Sequence, residues 1–260
     1  MILENIYSPY DVKQLTNAET RRLCDEVRSF MVQSVAETGG HLASNLGVVE
    51  LTVAIHRVFN TARDRLVFDV GHQCYVHKLL TGRRDSFATM RQFGGLSGFP
   101  KPYESEHDAF VAGHASAAVS VALGMARART LRREDYSVLA LVGDASLAGG
   151  LAFEGMDDAG GSGEPLIVIL NDNGMSISEN VGALSGHLSH LRTRPAYYEL
   201  KKRYRNALTG SAAGEKFYLW SHDVKTALKK SLLPGSSLFE DMGFSYLGPV
   251  NGHDVEELTD

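Results

Sequence analysis

Residues 138–144, Val-Leu-Ala-Leu-Val-Gly-Asp, are the stretch that decides the fold. An unbroken apolar run is typical of a strand buried on both faces, and this one leads directly into a Gly-Asp turn. Two further runs repeat the layout: residues 66–70 run into Asp69-Val70-Gly71-His72, and residues 166–170 lead into Asn171-Asp172-Asn173. Because helical patterns separate the three strands, we predict an α/β fold with a parallel sheet and helices on both faces, a three-layer α/β/α architecture.

Helices are predicted from apolar periodicity and from end signals. Thr16 to Glu19 has the pattern of a capping box that opens a helix, and Gly39-Gly40 ends that helix. Residues 178–214 are polar and rich in arginine, so we expect a mobile, lid-like excursion there. The remaining predictions are helices over residues 48–59, 115–129 and 223–233, a last strand over 244–247, and a final helix capped by Asp254.

Composition excludes several classes of function. The 260-residue chain has a formal net charge of -5, which argues against a nucleic-acid partner. No apolar run approaches the roughly 20 residues that a membrane span needs, so no membrane partner is expected. The N-terminus has no basic signal segment, and Cys24 and Cys74 do not form a disulfide framework. We therefore expect a cytoplasmic globular protein.

The three strand ends carry the chemistry. In an open α/β sheet, ligands bind just beyond the carboxyl ends of the strands. Small side chains in the Gly143-Asp144-Ala145-Ser146 turn would let backbone N–H groups approach a phosphate. Asp144 offers a carboxylate oxygen for Mg²⁺, and Asn173, 29 residues later, offers an amide oxygen. A purely structural turn with a solvent-facing acid explains this motif equally well, so the residues alone leave both interpretations open.

An ordered set of segments narrows the choice. The segments, beside Gly143-Asp144 with Asn173, are Gly39-Gly40-His41-Leu42, Asn45-Leu46-Gly47-Val48-Val49-Glu50-Leu51, Asp69-Val70-Gly71-His72-Gln73, Lys78-Leu79-Leu80-Thr81-Gly82-Arg83, Gly94-Gly95-Leu96-Ser97-Gly98-Phe99-Pro100, Ile169-Leu170-Asn171-Asp172-Asn173 and Gly248-Pro249-Val250-Asn251-Gly252-His253-Asp254. Together they resemble the 1-deoxy-D-xylulose-5-phosphate synthase family of transketolase-like thiamine-diphosphate enzymes, and the resemblance covers the whole chain.

The resemblance implies roles for individual residues. Asp144, Asn173 and the backbone carbonyl of Met175 would hold Mg²⁺. His41 would face the reacting carbon and transfer protons, whereas we interpret His56 and His77 as ordinary surface or packing residues. The residues that would line the diphosphate and the thiazolium ring of the cofactor are His72, Gly113, His114, Ala115, Ala145 and Ser146.

The resemblance also implies an activity and its partners. The reaction would be the decarboxylative condensation of pyruvate with D-glyceraldehyde 3-phosphate, with thiamine diphosphate and Mg²⁺, as the first step of the non-mevalonate isoprenoid pathway. The complete enzyme would be a homodimer. Residues 1–260 supply only the domain for the diphosphate and the magnesium ion. We find no pyrimidine-binding or C-terminal domain, so we expect this chain alone to be inactive.

Three interpretations of the chain stay open. We favour a fragment of the full synthase; the alternatives are the N-terminal subunit of a split transketolase-like enzyme and a non-catalytic cofactor-binding module. The chain also departs from the family pattern at Ala145, where glycine is usual, and at Ala115, where a hydroxyl is usual. Ala145 adds a methyl group where the backbone would approach the diphosphate, and alanine does not readily adopt positive φ.

Overall fold

A computed structural model describes residues 1–173, 182–184, 186, 188 and 237–260. The chain divides into two compact units, residues 1–173 with 250–260, and residues 174–249. The first unit contains all the described strands. In chain order, the helices and strands of this unit are a 3-10 helix at Leu3–Asn5, α1 Pro9–Lys13, α2 Asn17–Thr38, α3 Leu42–Leu46, α4 Val49–Val58, β1 Arg65–Phe68, α5 Tyr75–Lys78, a π-helical turn at Leu79–Arg83, a 3-10 helix at Arg84–Thr89, α6 Ala118–Arg132, β2 Val138–Gly143, α7 Asp144–Leu147, α8 Gly150–Ser162, β3 Ile167–Asn171 and, near the end of the chain, a helix at Val255–Thr259.

The three strands form one parallel sheet in the order β1-β2-β3. In the register, Leu66 lies opposite Leu139, and Gly143 lies opposite Asn171. Each crossover between neighbouring strands runs through helical segments, as parallel pairing requires. The predicted α/β class and the three predicted strands are confirmed, with end residues shifted by one or two positions.

Both faces of the sheet are covered by helices. Successive side chains of a strand point to opposite faces. On one face, Leu66, Phe68, Leu139 and Leu141 join a buried cluster with residues of α2, α4 and α5. On the other face, α6 packs against β1 and β2. The first unit therefore has the predicted three layers, and the strand ends lie at the edge of a sheet that helices cover on both faces.

The ends of the predicted helices follow local hydrogen bonds. The Thr16 hydroxyl accepts from the Glu19 N–H at 3.3 Å, and the Glu19 carboxylate accepts from the Thr16 N–H at 2.9 Å. This capping box opens α2 as predicted. By contrast, α6 begins at Ala118 and not at residue 115. Ser116 has a φ of 74°, so residue 116 cannot belong to a right-handed helix.

One predicted strand is wrong, and other predictions lie outside the described residues. Residues 244–247 form no strand with any described segment, and Leu247 is 80% exposed. An apolar run becomes a strand only when a neighbour pairs with its backbone, and the described residues offer none. The helix predicted over 223–233 and almost all of the excursion predicted over 178–214 lie outside the described residues.

The second unit is described only in part. Its helix α9 spans Ser237–Asp241. Phe239 is buried, and its ring stacks on Tyr246 with 5.6 Å between the ring centroids. The helix at Val255–Thr259, α10, belongs to the first unit, where it contacts α4. The Asp254 carboxylate accepts from the N–H groups of Glu256 and Glu257, so the predicted cap of this helix is confirmed.

Two further expectations concern the environment of the protein. Within the described residues, no helix combines the length and apolar character needed to cross a membrane. Cys24 and Cys74 are both buried free thiols. Burial raises the pKa of each thiol to about 12, so both act as small apolar groups in the core.

Candidate functional site

The ends of β2 and β3 place two predicted metal ligands at the same edge of the sheet. Asp144 follows Gly143, whose backbone lies opposite Asn171, and Asn173 is two residues beyond Asn171. Asp144 is buried, and its Oδ1 accepts from the Ala145 N–H at 2.8 Å, whereas Asn173 is exposed. Met175 lies outside the described residues. The strand ends thus supply one carboxylate and one amide at this edge.

Asp69 holds the neighbouring loop against the end of β1. Its two carboxylate oxygens accept from the N–H groups of Ser116 at 2.8 Å and Ala118 at 3.1 Å. A carboxylate is also favourable at the positive end of a helix, and α6 begins at Ala118. The sequence marked Asp69 as part of a polar strand end, and the structure shows that it anchors the loop before α6.

The Gly113-His114-Ala115 loop is exposed at this edge and is tied to both neighbouring strands. The Val70 N–H donates to the His114 carbonyl at 3.3 Å, which joins the loop to the end of β1. The Ser116 hydroxyl donates to the Ser146 carbonyl at 2.8 Å, which joins it to the turn after β2. The side chain of His114 is exposed. Three segments predicted to line a cofactor are therefore connected by hydrogen bonds.

His41 and His72 contact each other directly. Their rings meet edge to face, with 5.1 Å between the centroids and 68° between the planes. Partial burial lowers the pKa of His41, and the Arg91 guanidinium lowers it further. Burial also lowers the pKa of His72, with a further contribution from His41. Both imidazoles are therefore mainly neutral near pH 7.

Glycine is required on the loops that carry these two histidines. Gly71 has a φ of +87°, and a Cβ there would lie 2.6 Å from Cδ of Pro100. Gly40 has a φ of +139°, and a Cβ there would lie 2.8 Å from the Tyr75 hydroxyl oxygen. Side chains would be strained at both positions and would push the loops apart.

Ala145 fits its position without strain. It lies inside α7, which runs from Asp144 to Leu147, and it is not among the described residues with positive φ. Its methyl group is exposed. The backbone conformation therefore does not require the glycine that is usual at this position.

The donor set at this edge fits a magnesium diphosphate. Mg²⁺ commonly takes one or two protein ligands and completes its shell with phosphate oxygens and water. The described residues contain no group of three His, Cys, Asp or Glu side chains that could hold a metal by themselves. His72 adds a buried Nδ1 that has no hydrogen-bond partner among the described residues. Asp144 and Asn173 provide the one or two protein oxygens that such a metal takes.

The structure also contains a buried polar network around His77 and Asp108, which the sequence did not predict. His56 and His77 are both fully buried, so the expectation that they pack is confirmed and a surface position is wrong. His56 Nε2 lies 2.9 Å from His77 Nδ1, and His77 Nε2 lies 2.9 Å from Asp108 Oδ1. Arg83 donates to both Asp108 oxygens at 2.8 Å.

The charge on Asp108 fixes the proton positions in this network. Burial alone would raise the pKa of Asp108, but hydrogen bonds from His77 and Arg83 hold it far below its usual range. An ionised carboxylate only accepts, so His77 donates from Nε2. Burial lowers the pKa of His77 to about 4, so the ring is neutral and its Nδ1 accepts from His56 Nε2. His56 Nδ1 is left as a buried acceptor without a partner among the described residues.

The His77 site predicts a loss of stability in acid. Because the pKa of His77 is about 4 in the folded chain and 6.5 in the reference state, the unfolded chain binds more protons between these values. The free energy of unfolding is therefore highest above pH 6.5 and decreases by about 3 kcal/mol as the pH falls to about 4. Urea unfolding from pH 7.5 to 4 measures this slope, which should be smaller in His77→Gln. Equal slopes in both proteins would contradict the prediction.

The family model and the curated relatives that match this chain give the same family. The family model described as 1-deoxy-D-xylulose-5-phosphate synthase matches residues 3–260. A protein of that name from Caldanaerobacter subterraneus subsp. tengcongensis is 52% identical over 260 residues, which are 100% of this chain and 42% of the relative. Another, from Alkaliphilus oremlandii, is 50% identical over 259 residues, which are 99% of this chain and 41% of the relative.

The fold also has a solved counterpart. A transketolase mutant from Pichia stipitis aligns with a TM-score of 0.60 and 16% identity over 92% of this chain and 33% of that structure. At this identity the likeness shows the fold alone, an α/β domain of the transketolase type. The chain spans about two fifths of the length of the curated relatives it matches. The family match over nearly every residue and the identity of about one half show that the chain belongs to the 1-deoxy-D-xylulose-5-phosphate synthase family.

Proposed function

We propose that this chain is the part of a 1-deoxy-D-xylulose-5-phosphate synthase that binds the diphosphate and the magnesium ion of thiamine diphosphate. The observation that supports this most strongly is the connected edge of the sheet. Asp69, Ser116 and Ser146 join the ends of β1 and β2 through the loop that carries His114. We assign thiamine diphosphate and Mg²⁺ to this edge because the chain belongs to the family.

Specific residues of the edge would hold the cofactor. Asp144 and Asn173 would bind Mg²⁺ through side-chain oxygens, with the Met175 carbonyl as a third ligand. His72, the Gly113-His114-Ala115 loop and the Ala145-Ser146 turn would line the diphosphate and the thiazolium ring. When bound, thiamine diphosphate supplies the nucleophilic carbon for cleavage and formation of carbon–carbon bonds.

His41 would move protons at the reacting centre. Its lowered pKa leaves an imidazole nitrogen free to accept a proton near pH 7. The residue lies at the start of α3 on an exposed loop, and its side chain makes no capping hydrogen bond. Its position suits contact with a ligand better than packing. The substrates would be pyruvate and D-glyceraldehyde 3-phosphate.

Catalysis would need a second region beyond the one described. The relatives are more than twice as long as this chain. We propose that the pyrimidine end of the cofactor is held by that further region, in a homodimer. The completed enzyme, meaning this chain joined to the remainder of the Caldanaerobacter relative, is therefore the protein for functional tests. The chain alone should not form 1-deoxyxylulose 5-phosphate.

Binding of the cofactor should depend on Asp144. A ligand at 100 times its dissociation constant stabilises a folded protein by about 2.7 kcal/mol. Thiamine diphosphate with Mg²⁺ should therefore raise the melting temperature of the completed enzyme. Asp144→Ala should abolish this rise, because it removes the carboxylate assigned to the metal. Differential scanning calorimetry with and without the cofactor and Mg²⁺ measures the shift.

A control variant lies at the opposite end of the same strand. Asp135 is an exposed acid that precedes β2 and pairs with Arg63. Asp135→Ala should keep the full rise in melting temperature. If Asp144→Ala also keeps it, the metal assignment is wrong.

A further inference from the structure

Asn45 connects the loops that carry His41 and His72. Its side chain is completely buried at the end of α3. The amide nitrogen Nδ2 donates to the His41 carbonyl at 2.7 Å and to the His72 carbonyl at 2.8 Å. The amide oxygen Oδ1 accepts from the Tyr75 N–H at 2.8 Å. One side chain thus joins residue 41 to residues 72 and 75, which lie about 30 positions further along the chain.

The orientation of this amide is fixed by its partners. Two carbonyl oxygens can be satisfied only by an NH₂ group, and a backbone N–H can be satisfied only by an oxygen. Turning the amide over would set its oxygen against two carbonyls and its nitrogen against an N–H. Asn45 is therefore locked, and its three hydrogen bonds act as one rigid connection.

The consequence is a fixed geometry for two histidine side chains. Loops 39–41 and 71–73 both depend on glycines with positive φ, so neither loop is held by a regular helix or strand of its own. The rings of His41 and His72 nevertheless meet edge to face at 5.1 Å. Since both carbonyls accept from the same NH₂ group, the two backbones cannot separate without breaking a buried hydrogen bond.

We infer that Asn45 is a positioning residue, which holds His41 and His72 in register through hydrogen bonds to their carbonyl oxygens. Its side chain is completely buried, so it acts on the site through the two histidines. The sequence contained Asn45 within a matching segment but gave no reason to assign it a role. The inference rests on the proposed function for the meaning of the two histidines, but the geometry that it describes is a property of this chain.

The proximity of the two rings can be measured directly. Nuclear Overhauser effects between the imidazole protons of His41 and His72, in the chain without cofactor, report on their separation. Asn45→Asp keeps the shape and an acceptor for the Tyr75 N–H but removes both donors. We expect the effect between the two rings to vanish in Asn45→Asp and in Asn45→Ala. The Overhauser effect is assigned to this pair of rings by its disappearance in His41→Gln.

Two controls separate positioning from general loss of structure. The rings of Phe68 and His77 pack with 5.3 Å between their centroids. The nuclear Overhauser effect between their protons should persist in every variant. Thr52→Ala changes an equally buried polar residue whose hydroxyl has no described hydrogen-bond partner, and it should keep both effects. Persistence of the His41–His72 effect in Asn45→Asp would overturn the inference. The inference would also be overturned if the His41–His72 effect and the Phe68–His77 effect both disappeared in Asn45→Asp and in Asn45→Ala, because Asn45 would then have a purely structural role.

The completed enzyme gives an independent measurement. A displacement of a catalytic group by about 1 Å can cost on the order of 10²-fold in rate. We expect Asn45→Asp to lower kcat by roughly 10-fold to 100-fold, with little change in KM for pyruvate. An unchanged kcat in a variant whose two rings have moved apart would contradict positioning for catalysis. If the unsubstituted completed enzyme has no synthase activity, the proposed function fails, whereas the Overhauser effect between the rings still tests the role of Asn45.

Discussion

His41→Ala should lower kcat of the completed enzyme by roughly 10²–10⁴-fold, the loss typical of a general acid–base residue. The reason lies in where the side chain sits and how it titrates. His41 is exposed at the strand-end edge, in contact with His72. Its pKa is lowered by partial burial and by Arg91, so the neutral form that accepts protons predominates. Steady-state formation of 1-deoxyxylulose 5-phosphate measures the effect.

The stability of the chain should hardly respond to this change. The His41 side chain makes no capping hydrogen bond to α3, so its removal breaks no described cap. His107→Ala is the matched control, because His107 is a half-buried histidine that hydrogen-bonds to Thr61 at 2.8 Å. It should keep kcat close to that of the unsubstituted enzyme. Near-normal turnover in His41→Ala would reduce His41 to a packing residue.

Asp108→Ala should destabilise the chain by about 3–5 kcal/mol, as expected when one partner of a buried ion pair is removed. Asp108 is buried and accepts from Arg83, from His77 and from the Lys101 N–H at 2.7 Å. Lys78 and Glu104 lie in the same network, with 2.5 Å between Nζ and Oε2. Without Asp108, the buried Arg83 would lose its principal counter-ion. Chemical denaturation measured by circular dichroism gives the free energy of unfolding.

The control for this prediction has the same geometry but a different environment. Asp158 also accepts two hydrogen bonds from one arginine, Arg127, at 2.6 and 2.9 Å. That pair lies on the surface, where water and salt screen it. Asp158→Ala should leave the denaturation midpoint almost unchanged. Equal effects of the two substitutions would show that burial does not govern the cost at Asp108.

The sequence was sufficient for the elements whose signals are local. The apolar runs of β1, β2 and β3 predict buried strands because an unbroken apolar run of this length suits a strand covered on both faces. Thr16 and Glu19 predict the start of α2, and Asp254 predicts the start of α10, because both caps bond within three residues. The failed strand at 244–247 shows the limit, since a strand also needs a pairing partner elsewhere in the chain.

The edge of the site was predictable for the same reason. Parallel strands bring their carboxyl ends to one side of the sheet. The pairing of β2 with β3 therefore places Asp144 and Asn173 at the same edge. The assignment of a ligand to that edge came from the ordered segments shared with the family, and not from spacing alone. The start of α6 was misjudged by three residues because Asp69, far away in sequence, sets it.

Sequence by itself determined the α/β class, the three strands and the edge at which polar residues collect, because all three follow from hydrophobic periodicity and chain order. Only the tertiary structure decided which buried polar groups meet. Asn45 reaches His72 across 27 residues, and His77 reaches Asp108 across 31. A hydrogen bond between such residues leaves no periodic trace in the sequence, since it depends on how the loops pack and not on the repeat of any helix or strand.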